Sequence, residues 1–535
     1  MIKNLCLVLC CCLYILPVVA QHPKESALYQ YVQQNKTHLP TAKTINLFQA
    51  SGTALQGKLS ETIAAGQLLS LDEQAATVLY RTKPSLLKLF IPVTNAKGYQ
   101  LELIQQDISD ADFAIETSSN ISKQLPAAVH YRGYVSGDPF SIASFTVFAN
   151  GEAMGLFSNE EGNFNLGKTN DNTGSYVLYN SKHMKKSLGF ECGTDQLPVI
   201  KNAVNPPVSF KPSNTEAAPA LLCKKVSVYW EGSYKLYSNN FSKNLVNTTN
   251  YVMGLFNQVS VMYQNEGVLI EMSGLLIWTE TDPYTTNSSA NGLAAIKNRW
   301  NALGNNFKGD LCVLVDGAPT NNGGIAYLLD NDYCNRTYAY GYADIYASYQ
   351  PVPTYSWDVE VLAHEMGHMV GSHHTHWCGW NTGAGGACGA IDDCSPVETG
   401  SGCSTCAATT TIYPTPPSGF QGTVMSYCYL KNGIGVNLAY GFGPLPQAAI
   451  RASISNAVCA VQDNHWTGAV NTAWETAGNW SCNAVPTANT DVTIPNGVSN
   501  YPIINGNAEC RKLKQQASSK LTVKTAATLK VQGKN

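Results

Sequence analysis

Ser356-Trp357-Asp358-Val359-Glu360-Val361-Leu362-Ala363-His364-Glu365-Met366-Gly367-His368-Met369-Val370-Gly371-Ser372-His373-His374 is the stretch on which the reading of this chain turns. Val359, Leu362, Ala363, Met366 and Val370 recur at helical spacing, which predicts a core-packed helix with Ser356 as its N-cap. His364 and His368 then stand one turn apart on one face, where two imidazoles can converge on a single ion. Glu365 neighbours that pair without having to be a ligand, so its carboxylate can work on a water beside the ion. Gly371 ends the helix and can take a positive φ, which lets His374 approach the ion from a second direction. His373 and His376 flank His374, and the spacing favours His374. Three neutral nitrogens leave one tetrahedral position of a zinc ion open, the feature that separates catalytic from structural zinc.

Working outward, Val226–Trp230 reads as a strand, and Val252, Leu255, Phe256, Val259, Met262 and Tyr263 mark a helix that Gly267 would stop. Val268–Trp278 reads as a strand, Leu293–Leu303 as a helix and Leu311–Val315 as a buried strand, an alternation that argues for α/β layers. Residues 21–200 carry almost no cysteine, and Ala143-Ser144-Phe145-Thr146-Val147 alternates as a half-buried strand does. A Pro-, Asn- and Ser-rich linker over residues 202–220 marks a boundary. After Asp463 the character is β and turn, with Trp466, Trp474 and Trp480, as in a small sandwich or the opening of a solenoid.

The whole chain has 535 residues, 44% hydrophobic and 13% charged, with a formal charge of −3. That excludes a disordered chain and gives no bulk attraction to nucleic acid or acidic membrane. Lys3 and the apolar run Leu5–Val19, ending at Ala20, read as a secretory signal peptide, and no later run is apolar enough to span a membrane. The expected division is therefore a signal peptide at 1–20, a β-rich region with its linker at 21–221, an α/β region at 222–462 and a β-rich tail at 463–535. Of the 17 cysteines, four lie in the signal segment. The remaining 13 are an odd number in a compartment where thiols usually pair, so one cysteine needs its own explanation.

Eleven residues from His364 to His374, followed by Gly422-Thr423-Val424-Met425-Ser426-Tyr427, resemble the metzincin zinc endopeptidases and their reprolysin (adamalysin) branch. His130–Gly137 is similar to a reprolysin propeptide, and Leu276–Tyr284 to the strand and loop after that family's first long helix. The resemblance implies a fold with a twisted mixed sheet over the active-site helix, preceded by a mainly β propeptide and followed by a small β domain. It implies one catalytic zinc on His364, His368 and His374, Glu365 as general base and then acid, and Met425 as a packing floor beneath the ligands. Gly324, Ile325, Ala326 and Tyr327 resemble the edge strand that receives an extended peptide. Tyr427 is placed like the tyrosine that joins zinc in astacins and serralysins, or it is a core tyrosine of that turn. Glu191-Cys192-Gly193-Thr194-Asp195 resembles a cysteine switch, in which a propeptide thiolate fills the open position on zinc. With Cys192 set aside, ten cysteines between Cys223 and Cys459 would make five bridges and Cys482–Cys510 a sixth. Two positions depart from the branch: Phe190-Glu191 does not match its usual residues before the switch cysteine, and Thr375 stands where it usually has Asp. Asp392 and Asp393 read as a solvated turn rather than a calcium site. The expected protein is therefore a secreted, latent, monomeric endopeptidase that acts on polypeptides and is inhibited by its own propeptide, with any link to a cell surface through the tail. The rival is an inactive relative that works as an adhesion or carbohydrate-binding protein, against which an intact Glu365 argues.

Overall fold

The computed structural model describes residues 25–533 with breaks, the longest at 120–127, 202–218, 382–387 and 399–420. The expected signal segment and most of the expected linker lie outside the described residues.

Five of the six strands in the central sheet run parallel, in the order Ile115–Thr117, Leu269–Ile277, Lys225–Gly232, Leu311–Asp316, Tyr340–Asp344, and the short strand Gly324–Ala326 closes the edge antiparallel. Parallel strands are buried on both faces, which is why Val226, Val228, Leu311, Val313 and Val315 are all shut from solvent. The helix Leu245–Asn265 stops as expected, with Gly267 at φ +71°. It packs on the active-site helix Tyr355–Met369, where the Tyr263 hydroxyl donates to the Ala363 carbonyl at 2.9 Å. Ser356 is not the N-cap. Thr354 holds that position without a side-chain bond, because the Ser356 backbone N–H and hydroxyl are both engaged by the Asn165 amide.

The region before the linker forms a ten-stranded sheet whose middle is an antiparallel meander from Gly98 to Asn180. The strand Ile142–Val147 is buried on both faces rather than half-buried. Ala143, Phe145 and Val147 face the sheet's own core, while Ile142 joins the main core and Thr146 accepts from Asn257 on the long helix. A period-two pattern of apolar and small polar residues tells which face is oily, not whether a second layer covers the other. Arg132, buried in the same contact, donates to Asn257 and Gln264. The N-terminal region also supplies Ile115–Thr117 to the far edge of the central sheet, so the two regions interlock.

In the tail, Gln462–His465, Thr490–Ile494 and Lys512–Gln515 pair in parallel, as do Asn507–Cys510 and Thr528–Val531. Asp491 faces Lys512 and Asn507 faces Thr528, the same sequence offset in both, which is the arrangement of stacked coils rather than hairpins. Trp466, Trp474 and Trp480 fill a small core with Ile494, Ile504 and Cys510. The pairing Cys482–Cys510 does not form. Cys482 is bonded to Cys223 with Cα atoms 5.6 Å apart, fastening the tail to the first central strand, and Cys510 is a buried thiol. Cys312 is also a free thiol inside the central sheet, so among the described residues three cysteines are free, not Cys192 alone. Cys334–Cys459 and Cys394–Cys428 are the other bridges among the described residues. Lys225 sits beside the first junction with its ammonium 2.9 Å from Glu271, 3.5 Å from Asp463 and 2.8 Å from Asp491. No helix among the described residues is long and apolar enough to cross a membrane.

Candidate metal centre

The last two turns of Tyr355–Met369 carry His364 and His368, and Gly371 at φ +98° turns the chain back so that His374 faces them. Their Nε2 atoms lie 3.2 Å (364 to 368), 3.1 Å (368 to 374) and 3.1 Å (364 to 374) apart. Each Nδ1 has an acceptor: the Val424 carbonyl at 2.8 Å for His364, the Ser372 carbonyl at 2.7 Å for His368, and the carboxylates of Asp195 at 2.7 Å and Glu398 at 3.3 Å for His374. A ring that donates from Nδ1 turns an unprotonated Nε2 lone pair toward the other two rings. Three lone pairs aimed at one point repel unless a cation stands there. A tetrahedral zinc with bonds of about 2.0–2.1 Å would hold its nitrogens roughly 3.3 Å apart, so the donor set fits that ion. Burial holds the His364 imidazole down at about 4, whereas His374, although burial works to lower it, is held well up by the Cys192 charge and the Asp195 and Glu398 carboxylates, so a metal ion bound there takes the place of its proton. His373 stacks on Trp377 at 3.6 Å and His376 lies over Tyr427.

Cys192 stands on the remaining face. Its Sγ lies 3.5 Å from His368 Nε2 and 3.7 Å from Glu365 Oε2, and the four donor atoms are mutually within 4.8 Å. Burial would raise its thiol pKa, yet the imidazoles of His368 and His374 outweigh that and hold it well below its ordinary value, toward the thiolate. Glu365 is fully buried, and burial followed by the Cys192 charge pushes its carboxyl well up. Gly324 is required here, since a Cβ at that position would lie against the Glu365 carboxyl.

The segment holding Cys192 follows the edge strand. Gly193 N–H donates to the Gly324 carbonyl at 3.1 Å, Gly324 N–H to the Glu191 carbonyl at 3.2 Å, and Ile200–Lys201 pairs in parallel with Leu329–Asp330. Gly324, Ile325 and Ala326 form the strand, whereas Tyr327 lies just beyond it with its ring against Tyr338 and Lys297. Met425 is fully buried and its thioether fills the space beside Gly367, where a Cβ would stand 2.7 Å from Sδ. Thr375 donates to the Met425 carbonyl from both N–H and hydroxyl, tying the loop of the third histidine to that turn. The Tyr427 hydroxyl donates to the Cys192 carbonyl at 3.2 Å.

Residues 225–433 match the model of metallo-peptidase family M12. The match takes in the central sheet from Lys225 onward, all three histidines and the Met425 turn, and leaves out the ten-stranded sheet. It supports a metallopeptidase, a peptide hydrolase that works with a metal, for this region. Residues 465–534 match a domain of unknown function. No curated protein matches the chain. Metalloproteinase-II from Bacteroides fragilis is similar over 56% of this chain and 85% of its own, at 12% identity and a TM-score of 0.31, a likeness too slight to bear on the fold.

Glu398 carried no signal in the sequence, and Asp195 was marked only as part of the stretch around Cys192, not as a partner of His374, because a carboxylate in a loop has no periodicity to mark it. Asp392 departs from the solvated-turn reading: it is buried and accepts from the Cys394 N–H, while Asp393 is exposed.

Proposed function

We propose that the chain is a secreted zinc endopeptidase made as a latent precursor, held shut by residues 21–221 until a cut near 202–222. The observation that carries this reading is the convergence of three Nε2 atoms beside Glu365, with Cys192 facing them. His364, His368 and His374 would hold the zinc, which when bound polarises the scissile carbonyl and acidifies an adjoining water. Glu365 takes the proton of that water and returns it to the leaving amine. Removing Cys192 frees the Gly324–Ala326 edge for an extended peptide, read mainly by its backbone. The Tyr427 hydroxyl, released from the Cys192 carbonyl, is then available to donate to the developing oxyanion. Met425 supports the ring of His364 through its own turn, where the Val424 carbonyl holds Nδ1.

Casein hydrolysis by the processed chain, with and without chelator and with Glu365→Ala, tests the reading. The expected result is loss of activity on chelation, recovery with zinc, and a fall of about 10²–10⁴-fold in the variant with zinc content unchanged. Equal behaviour of parent and variant would favour the adhesion reading instead.

A further inference from the structure

The helix Tyr355–Met369, which carries His364 and His368, has no side-chain cap of its own, since Thr354 makes no such bond. Asn165 supplies one from the ten-stranded sheet, 191 residues away in the chain. Its Oδ1 accepts from the Ser356 backbone N–H at 2.8 Å and its Nδ2 donates to the Ser356 hydroxyl at 3.1 Å. A side-chain oxygen on an N–H of the first turn is what a cap provides. Two positions earlier on the same strand, Gly162–Lys168, Asn163 holds the chain behind the Met425 turn: its Oδ1 accepts from Leu438 N–H at 2.9 Å and its Nδ2 donates to the Val436 carbonyl at 2.8 Å. One strand of the N-terminal region thus steadies two walls of the metal centre.

The same region shares a core with the metallopeptidase region, in which Ile142, Phe148 and Met154 lie with Val252 and Phe256. Leu245–Asn265 is buried without a break from Thr248 to Gln264, as a helix inside a protein is. Phe148 comes so near that a Cβ on Gly254 would stand 3.2 Å from its ring. Ile115–Thr117 closes one edge of the central sheet, and before it the Met272 N–H donates to the Ile108 carbonyl at 2.7 Å. Removing the N-terminal region would bare apolar surface on the long helix and leave Leu269–Ile277 as an open edge.

The stretch over the metal centre is bound differently. Ala64 N–H donates to the His183 carbonyl at 2.8 Å and Lys185 N–H to the Thr62 carbonyl at 2.9 Å, within the N-terminal region. From Glu191 onward the backbone bonds go to the edge strand instead. At the changeover Lys185 and Lys186 are both exposed, a place open to a peptidase that cuts after basic residues.

We propose that residues 25–185 stay with the metallopeptidase region after processing, as a permanent non-covalent partner that caps its active-site helix. Only the stretch between a cut at Lys185-Lys186 and the cut in the linker leaves. No cysteine lies between Gln21 and Glu191, so no disulfide does the holding. The inference rests on the latent-peptidase reading above and narrows which part of residues 21–221 shuts the site.

The test is limited trypsin treatment of the full chain, then gel filtration in native buffer with mass mapping of the peak that cleaves casein. A fragment ending at Lys185 or Lys186 and one beginning in the linker should elute together, without the Cys192 stretch, and denaturant without reductant should part them. Asn165→Ala should come apart on dilution at a concentration about fivefold higher than the parent, whereas Asn165→Asp, which keeps the acceptor, should not. An active peak free of residues 25–185, or one that still holds the Cys192 stretch, overturns the inference and leaves the peptidase reading standing. An Asn165→Ala protein that parts no sooner than its parent overturns the capping role. A zinc-loaded peak with both fragments, no Cys192 stretch and no casein cleavage overturns the peptidase reading and upholds the partnership.

Discussion

On one side of the edge strand Gly324–Ala326 lies Tyr340–Asp344, antiparallel and in unbroken register from Gly324 opposite Ala343 to Ala326 opposite Gly341. On the other side lies the segment around Cys192, parallel, with backbone bonds at Gly324 alone until the chain reaches Ile200. Between those points Thr194 replaces the ladder with its side chain, accepting from Ala326 N–H and donating to Ala326 C=O. Tyr340–Asp344 is fixed by pairing on both edges and by burial of Tyr340 and Tyr342. The Cys192 segment is fixed by hooks: the thiol over the imidazoles, the Thr194 hydroxyl, and the Asp195 carboxylate on His374. A strand built into a core leaves only when the fold does. A segment held by side chains and a few backbone bonds can leave when those contacts are displaced.

That contrast can be broken one hook at a time. The largest effect is expected from Cys192→Ser, which should raise casein hydrolysis by the uncut chain by about tenfold or more, in line with loss of a group at a metal centre. If the uncut variant stays as silent as its parent, the thiol is not the gate. Asp195→Asn should act in the same direction more weakly, by about three- to fivefold, because a charge-assisted bond is lost at a partly exposed carboxylate and Glu398 remains on His374. Zinc affinity of the processed form should not change, since Asp195 has then departed; a drop would mean that Asp195 belongs to the working site. Gly193→Ala should be the smallest, about twofold, because the new Cβ would stand 2.8 Å from Ile325 Cδ1, the far end of a side chain that can yield. An effect of Gly193→Ala as large as that of Cys192→Ser would show that backbone fit, not the hooks, holds the segment.

The parts of the site that could be read in advance are those written within a few residues of one another. His364 and His368 need only one helical turn, and Gly371 and His374 only the turn that ends it. Ser356 shows the limit even of local reading: a serine before a helical pattern is a good cap until a neighbour such as Asn165 takes its hydroxyl. The α/β alternation from Val226 to Val315 was legible for the same reason, since periodicity is local. The cover over Ile142–Val147, the added strand Ile115–Thr117 and the bond Cys223–Cys482 join residues far apart in the chain and leave no mark at either end. Parity told that a thiol is left over; it could not tell which or how many, because a cysteine packed inside a sheet, such as Cys312, looks the same in sequence as one that is bridged.

Spacing alone determined which imidazoles can meet and which carboxylate stands beside them, because the helix has a fixed pitch and a glycine can reverse it. Tertiary structure decided what faces them. Cys192, Asp195 and Glu398 reach His374 and its partners through the docking of distant segments, whose cost and gain depend on surfaces that exist only once the chain has folded.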